Sequence, residues 1–381
     1  MRDAGFDGGV DESIFEPREM PTPTPLVSRI ALLGPLREPD ENGIRLPEGF
    51  TSRIVARTRQ VVAASSYEWH SSPDGGAVYG TTDGGWIYVS NSEIPIVGGV
   101  GAIRFSSTGE ITGAYPICER TSINCAGGPT PWGSWLTCEE AARGQVFECD
   151  PWGERAALVR PALGVFKHEA VAIDPVNAHV YLTEDESDGR FYRFVPAART
   201  SAGHPNLAAG RLEVASVADG GSVTWLEVPD PRFTGDVPTR RQVAESTRFR
   251  GGEGIWYHDR VVYFSTKGDN RVWAYDVASA RLEILYDAAD YDPAPLRGVD
   301  NLTVTCCGDV LVAEDGGSMQ VVAILPDGTP QPILQVTGQD DSEITGPAFD
   351  PSGTRLYFSS QRGFNTSGIT YEVTGPFHAP A

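Results

Sequence analysis

Three stretches of this chain superimpose on one another at a nearly constant spacing. They are HEAVAIDPVNAHVYLTEDESDGRFYRF from His168, GEGIWYHDRVVYFSTKGDNRVWAYDV from Gly252 and VDNLTVTCCGDVLVAEDGGSMQVVAIL from Val299; a fourth, TGPAFDPSGTRLYFSSQRG from Thr345, matches the first half of the unit. Each unit runs through a short apolar strand, a turn of Asp, Gly or Pro type, a second apolar strand, a polar loop and a third strand. Glu253 and Asp300 are 47 residues apart, and Asp300 and Gly346 are 46 apart. A period of that length with three or four strands per unit predicts a β-propeller. Glu169 and Glu253 are 84 apart, just under two periods, so a divergent blade is expected around Leu212 to Val228. Units near Tyr79–Phe105 and Trp135–Val159 bring the count to about six. No helical 3.6-residue pattern of any length interrupts the strands, so the fold class is all-β. Residues 1–45, rich in Pro, Asp and Glu without periodicity, read as an extended lead segment, and 46–381 as a single propeller domain.

Composition narrows the function classes. With 30 Lys+Arg against 51 Asp+Glu the formal net charge is −21, which repels phosphate backbones and anionic lipid. Nucleic acid and membrane are therefore excluded as expected partners, and no apolar run approaches the ~20 residues of a membrane span. Met1 to Pro17 show neither a basic region nor an apolar core, so no export signal is readable and the chain as given reads as cytoplasmic. Six cysteines are too few for a disulfide scaffold. Cys306 and Cys307, adjacent in a turn, read as free thiols.

What acidity permits is cation binding, provided the carboxylates converge. The superposition puts Glu169, Glu253 and Asp300 at one place in the unit, each opening the first strand. First strands line a propeller's central channel, so equivalent side chains point at one axis from different azimuths. Carboxylates crowded there are protonated unless a cation compensates them. Oxygen-rich clusters of this kind suit hard cations, Ca2+ above all. Glu184–Asp185 and Glu314–Asp315 close the second strands and read either as a second layer of ligands or as turn caps, and Thr266–Lys267 stand there in the Gly252 unit. In WIYVSNSEIP, Asn91 and Glu93 lie at i and i+2 and share a face, as a ligand pair or as an exposed turn. NCAGGPTPWGSWLTCEE carries Cys125 before Ala-Gly-Gly, where the backbone can approach a neighbour closely, and ends in Glu139 and Glu140. Cys125 is open to three readings: a buried apolar residue, half of a disulfide with Cys118, or a thiolate favouring a softer ion such as iron or zinc. The six histidines form no HxH or HExxH pattern, and His168 points away from Glu169 along its strand.

With NCAGGPTPWGSWLTCEE, KHEAVAIDP, VDNLTV…LVAEDG and TGPAFDPSGTRLYFSSQRG together, residues 60–370 resemble the PhoX-type alkaline phosphatase family. The resemblance implies a six-bladed propeller whose axial site holds iron and calcium and hydrolyses small-molecule phosphate monoesters. It makes Asn91 and Glu93 counterparts of the family's Asn-His-Glu motif, Cys125 the iron-ligating cysteine and Glu140 a calcium ligand, with Glu139 adjacent. It makes Glu169 and Glu253 cluster carboxylates, and Asp300 and Asp315 late acidic ligands. Two departures stand out. Ser92 occupies the place of the family's His, and Gly251 that of an Arg held to grip the substrate phosphate, which leaves Arg250 as the catalytic candidate. Two further functions compete: a calcium-dependent lactonase of the gluconolactonase type, for which VDNLTV and LVAEDG also fit, and a non-catalytic propeller pinned by metal. A monomer is expected.

Overall fold

The computed structural model describes Phe15 and residues 17–381. Among these, the repeats fold as six antiparallel sheets of four or five strands, arranged as the blades of a propeller. The first blade comprises Pro73–Gly80, Trp86–Ser92, Gly98–Phe105 and Ile111–Thr121, and the second Asn124–Pro129, Trp135–Glu139, Val146–Cys149 and Leu158–Val159. The third opens with His168–Asp174, the fourth with Gly252–His258, the fifth with Val299–Val304 and the sixth with Ile344–Phe349. The stretch expected to be a divergent blade is not one. Gly210–Val217 and Val223–Glu227 continue the third sheet as its fourth and fifth strands, and a long loop with one short 3-10 turn, Thr239–Arg241, then leads to the fourth blade.

The chain closes on itself. Thr51–Arg57 forms the outer strand of the sixth blade beside Ser367–Thr374, so residues from both ends of the chain complete one sheet. The latter part of the lead segment is also stitched to the propeller: Ile44–Arg45 adds to the edge of the fifth blade and Leu26–Ser28 pairs with His378–Pro380. Residues 1–14 and Glu16 lie outside the described residues.

Apolar side chains pack between blades. Six buried clusters fill the six blade-to-blade interfaces; Tyr192, Phe194 and Leu136 belong to the one between the second and third blades, and Phe264, Tyr275 and Phe191 to the one between the third and fourth. Alternating strand residues supply these layers. The axis is thereby left to whatever the first strands project inward.

Every first strand carries a bulge near its start. Pairing with the second strand breaks between Pro73 and Gly76, Asn124 and Gly127, His168 and Val171, Gly252 and Ile255, Val299 and Leu302, and Thr345 and Ala348. A bulge re-aims the side chain it releases from the ladder. The residues released first in five blades are Asp74, Cys125, Glu169, Glu253 and Asp300. The next residue is small or compact (Gly75, Ala126, Ala170, Gly254, Asn301) because adjacent blades meet there: a Cβ on Gly75 would lie 2.6 Å from Cα of Ala126. The Ala-Gly-Gly after Cys125 has the close approach its composition predicts, since a Cβ on Gly128 would overlap the Val171 carbonyl of the third blade. Gly128→Ala should therefore destabilise the protein by about 2–3 kcal/mol, read as a lower urea midpoint with an unchanged slope.

Candidate metal centre

Side chains aimed by the bulges meet on the axis. Four overlapping groups have their ligand atoms mutually within 4.8 Å: Glu93, Cys125 and Glu140; Asp74, Glu93 and Glu343; Glu169, Glu253 and Asp300; Asp300, Asp315 and Glu343. Glu93 joins the first two groups, Asp300 the last two, and Glu343 the second to the fourth. The result is a connected set of eight carboxylates and one thiol. Asp74, Cys125, Glu169, Glu253, Asp300 and Glu343 are buried, while Glu93, Glu140 and Asp315 lie half-buried toward one mouth of the channel. Below the donors, Gly75, Ala126, Gly254, Asn301 and Gly346 line a space of about 20 Å3, room for about one water. The channel is thus narrow beneath the donors.

Hydrogen bonds between blades hold the donor backbones in place. The Thr183 hydroxyl donates to the Glu253 carbonyl at 2.5 Å, and the Ser265 hydroxyl to the Asp300 carbonyl at 2.6 Å. The Asn91 amide donates to the carbonyls of Cys125 and Ala126 at 3.1 and 2.7 Å and accepts from Trp135 Nε1 at 2.9 Å. In each case a side chain of one blade fixes the bulge of the next.

Three cations stand at the rim. Lys267 Nζ lies 3.3, 2.9 and 3.1 Å from oxygens of Glu253, Asp300 and Asp315. Lys167 lies 2.7 Å from both Glu140 and Asp185. Arg362 reaches Glu343 at 2.9 Å and Asp315 at 3.4 Å. The Gln361 amide donates to Asp74 and, at 2.7 Å, to Glu93. These partners do not satisfy the cluster: both oxygens of Glu169 are buried with no hydrogen-bond partner, and Glu253 Oε1 has the Lys267 ammonium alone. Buried unpaired carboxylate oxygens are costly unless protonated or bound to a cation.

Burial, and then the neighbouring acids, push the Asp74, Glu169, Glu253 and Glu343 carboxyls well above the usual carboxylate range. Burial and a hydrogen bond with Asp185 raise Glu140 to about 8. Burial followed by the surrounding acids, Asp74 first, raises the Cys125 thiol. Burial alone would lower the Lys267 ammonium, but Asp300, Glu253 and Asp315 outweigh it and hold it above its ordinary value.

Seven of the nine ligand positions expected from the sequence come together here: Glu93, Cys125, Glu140, Glu169, Glu253, Asp300 and Asp315. Asn91 does not, because its amide is consumed by the blade contact described above. Glu139 turns away and accepts from the backbone N–H groups of Ser122 and Gln145 at 2.9 and 3.1 Å. Glu314 is a strand-end cap that accepts from the N–H groups of Arg297, Ser318 and Gln320, and Glu184 accepts from the Tyr192 hydroxyl and pairs with Arg240 at 3.5 Å. Cys118 and Cys125 are both free thiols, which removes the disulfide alternative, and Cys125 Sγ lies 3.8 Å from Asp74. His168 is buried, stacked on Phe166 with centroids 3.6 Å apart. The Arg250 side chain is exposed. Gly251 beside it has φ +67°, and a Cβ there would lie 3.1 Å from Asp185 Oδ1, so the turn favours glycine. Asp74 and Glu343 were not anticipated. Asp74 sits in a Pro-Asp-Gly-Gly that reads as a turn, although Asp74-Gly75 repeats the acid-small pairing of Glu253-Gly254.

The donor set fits bound cations, because Glu169 presents two buried oxygens with nothing to accept from. The sign of the pH response follows. These carboxyls titrate higher in the fold than in the unfolded chain, so without cations the unfolded state loses its protons first as pH rises. Stability of the chelated protein should fall as pH rises from about 4.5 through the pH of about 8 at which Glu140 titrates. Added Ca2+ should flatten that fall, measured as melting temperature against pH with chelator and with Ca2+.

Residues 90–363 match the family described as alkaline phosphatase PhoX. Among solved structures, Pseudomonas fluorescens PhoX in complex with vanadate, a transition-state analogue, superimposes with a TM-score of 0.72 at 16% identity, covering 90% of this chain and 97% of that one. That likeness concerns the fold. A gluconolactonase from Xanthomonas campestris gives a TM-score of 0.47 at 13% identity, over 90% of this chain and 98% of that one. A comparison with curated proteins gives no significant match. The family match covers well over half of the chain and takes in Cys125 and seven of the eight axial carboxylates, and the chain belongs to the alkaline phosphatase PhoX family.

Proposed function

We propose that this protein hydrolyses phosphate monoesters of small molecules at the axial centre, with several cations bound there. Family membership supports a phosphatase-like hydrolase. The observation that carries the reading furthest is a thiol built into a multi-carboxylate cluster. Eight carboxylates exceed what one Ca2+ requires, and a thiol is no ligand for it, so the single-cation lactonase reading gains nothing from this site. The group of Glu93, Cys125 and Glu140 suits a softer ion such as iron, and the three all-oxygen groups suit Ca2+. When bound, such cations neutralise phosphoryl oxygens and lower the pKa of an attacking oxygen nucleophile.

The chain's own residues supply positioning. Once Glu253, Asp300 and Asp315 are engaged elsewhere, Lys267 is freed to hold a phosphoryl oxygen from the rim, with Arg362 and Lys167 beside it. These cations serve the role that an Arg at the position of Gly251 would have served. The channel beneath the donors is too narrow for an ester, so the ester enters from the rim and its leaving group departs there.

The purified protein should hydrolyse p-nitrophenyl phosphate, lose the activity on chelation and regain it with added cations. Glu169→Gln should lower kcat/KM by about 100-fold while leaving the circular dichroism spectrum unchanged. Lys267→Met should act mainly on KM, as loss of a phosphate-binding charge. Metal-loaded protein that is inert toward phosphate esters but opens a lactone would overturn the proposal.

A further inference from the structure

The far mouth of the channel carries a second constellation of metal-binding side chains. The turn Thr305–Asp309 follows the first strand of the fifth blade and presents Cys306 and Cys307, whose Sγ atoms are 3.5 Å apart. Both are thiols, Cys306 exposed and Cys307 half-buried. Four residues of strand run from Asp300 to the strand end at Val304, about 13 Å at the extended rise, and Cys306 lies in the turn beyond it, so this place is remote from the carboxylate centre. The terminal strand His378–Pro380, paired with Leu26–Ser28, brings His378 to the same spot. One ring nitrogen and the two sulfurs lie within 4.8 Å of one another.

The imidazole is prepared as a ligand. His378 is only 4% exposed, and its Nδ1 sits 2.8 Å from the Gly353 carbonyl. A carbonyl can only accept, so Nδ1 carries the ring hydrogen and Nε2 the lone pair. Nε2 is buried and has no hydrogen-bond partner. A Cβ on Gly353, at φ +66°, would come within 2.9 Å of Nδ1, so the ring is seated by an approach that a larger residue would block. A backbone carbonyl on one nitrogen with the other left free is the arrangement that orients metal-bound histidines.

We propose that Cys306, Cys307 and His378 form a second metal site, for a thiophilic cation of the Zn2+ class. Two thiolates and an imidazole select such ions over Ca2+ and leave a fourth position open. Binding releases the two thiol protons to solvent and forms two metal–sulfur bonds and one metal–nitrogen bond. The ligands come from the fifth blade and from the strand tied to Leu26–Ser28. Occupancy therefore staples the pair of terminal strands to the propeller, independently of the axial chemistry.

Cd2+ is the probe, because cadmium thiolates absorb in the ultraviolet. The reduced 381-residue chain with Cys125→Ala and saturating Ca2+ keeps the axial centre silent. One equivalent of Cd2+ should give a sulfur-to-metal band, which Cys306→Ser with Cys307→Ser abolishes. His378→Gln should weaken binding about tenfold or more. In the unaltered chain Zn2+ should slow modification of the two accessible thiols by a disulfide reagent about tenfold or more; this arm needs no variant to fold. A band that survives the double serine variant, full affinity without His378, or thiols left unprotected by Zn2+ would each overturn the site.

Discussion

Desolvation of acidic groups on the axis is the constraint on which the rest of this structure depends. Eight carboxylates and a thiol are gathered where water is largely excluded, and three cations at the rim leave the cluster anionic. An isolated carboxylate so placed gives up its charge by taking a proton, or keeps it by meeting a cation. Lys267, set between Glu253, Asp300 and Asp315, is the chain's own partial answer. Glu169, with both oxygens unpartnered, is the point at which that answer runs out.

The geometry that imposes this burden is repeated with the fold. Apolar side chains fill six interfaces between blades, so each blade is stabilised by its neighbours while the axis remains free for polar groups. The bulge at the start of each first strand then turns one residue per blade inward. A regular strand would send that residue's side chain to an interface, where a carboxylate would meet Tyr or Phe. Hydroxyl and amide side chains of the preceding blade (Asn91, Thr183, Ser265) bond to the carbonyls beside or at the donors. The donors are consequently held by backbone contacts that persist whatever occupies the axis.

Much of this was legible in the sequence, and the limits have physical causes. The period, the all-β class and the shared position of Glu169, Glu253 and Asp300 follow from spacing alone, because equivalent residues of a propeller face one axis. Distance between landmarks was a poorer guide over Glu169 to Glu253, where one extra strand and long loops occupy the room of a blade. Glu139 and Asn91 had the right chemistry and neighbours, but a side chain's direction depends on a register that alternation does not reveal when strands are buried on both faces. Asp74 was hidden by the opposite problem. Asp-Gly-Gly is turn chemistry by local rules, and only the superposition with Glu253-Gly254 shows that the glycines serve contact between blades.

The position of Lys267 is the one place where the repeat deviates in a way that bears on how the centre operates. Four other units put an acid at the corresponding strand end, Glu93, Glu140, Asp185 and Asp315, and the last three face lysines. Asp185 is held below the usual carboxylate range: burial acts against this, but its hydrogen bond with Glu140 and the Lys167 ammonium prevail. Charge therefore alternates around the rim, with Lys167 between Glu140 and Asp185, and Lys267 between Asp300 and Asp315. On the proposed function, an alternating rim would let a cation displace a lysine from its carboxylates without leaving either charge stranded, because the ammonium would remain beside the mouth at which an anionic ester enters. A rim of acids alone would bind cations but repel a phosphate ester, and a rim of bases alone would do the reverse.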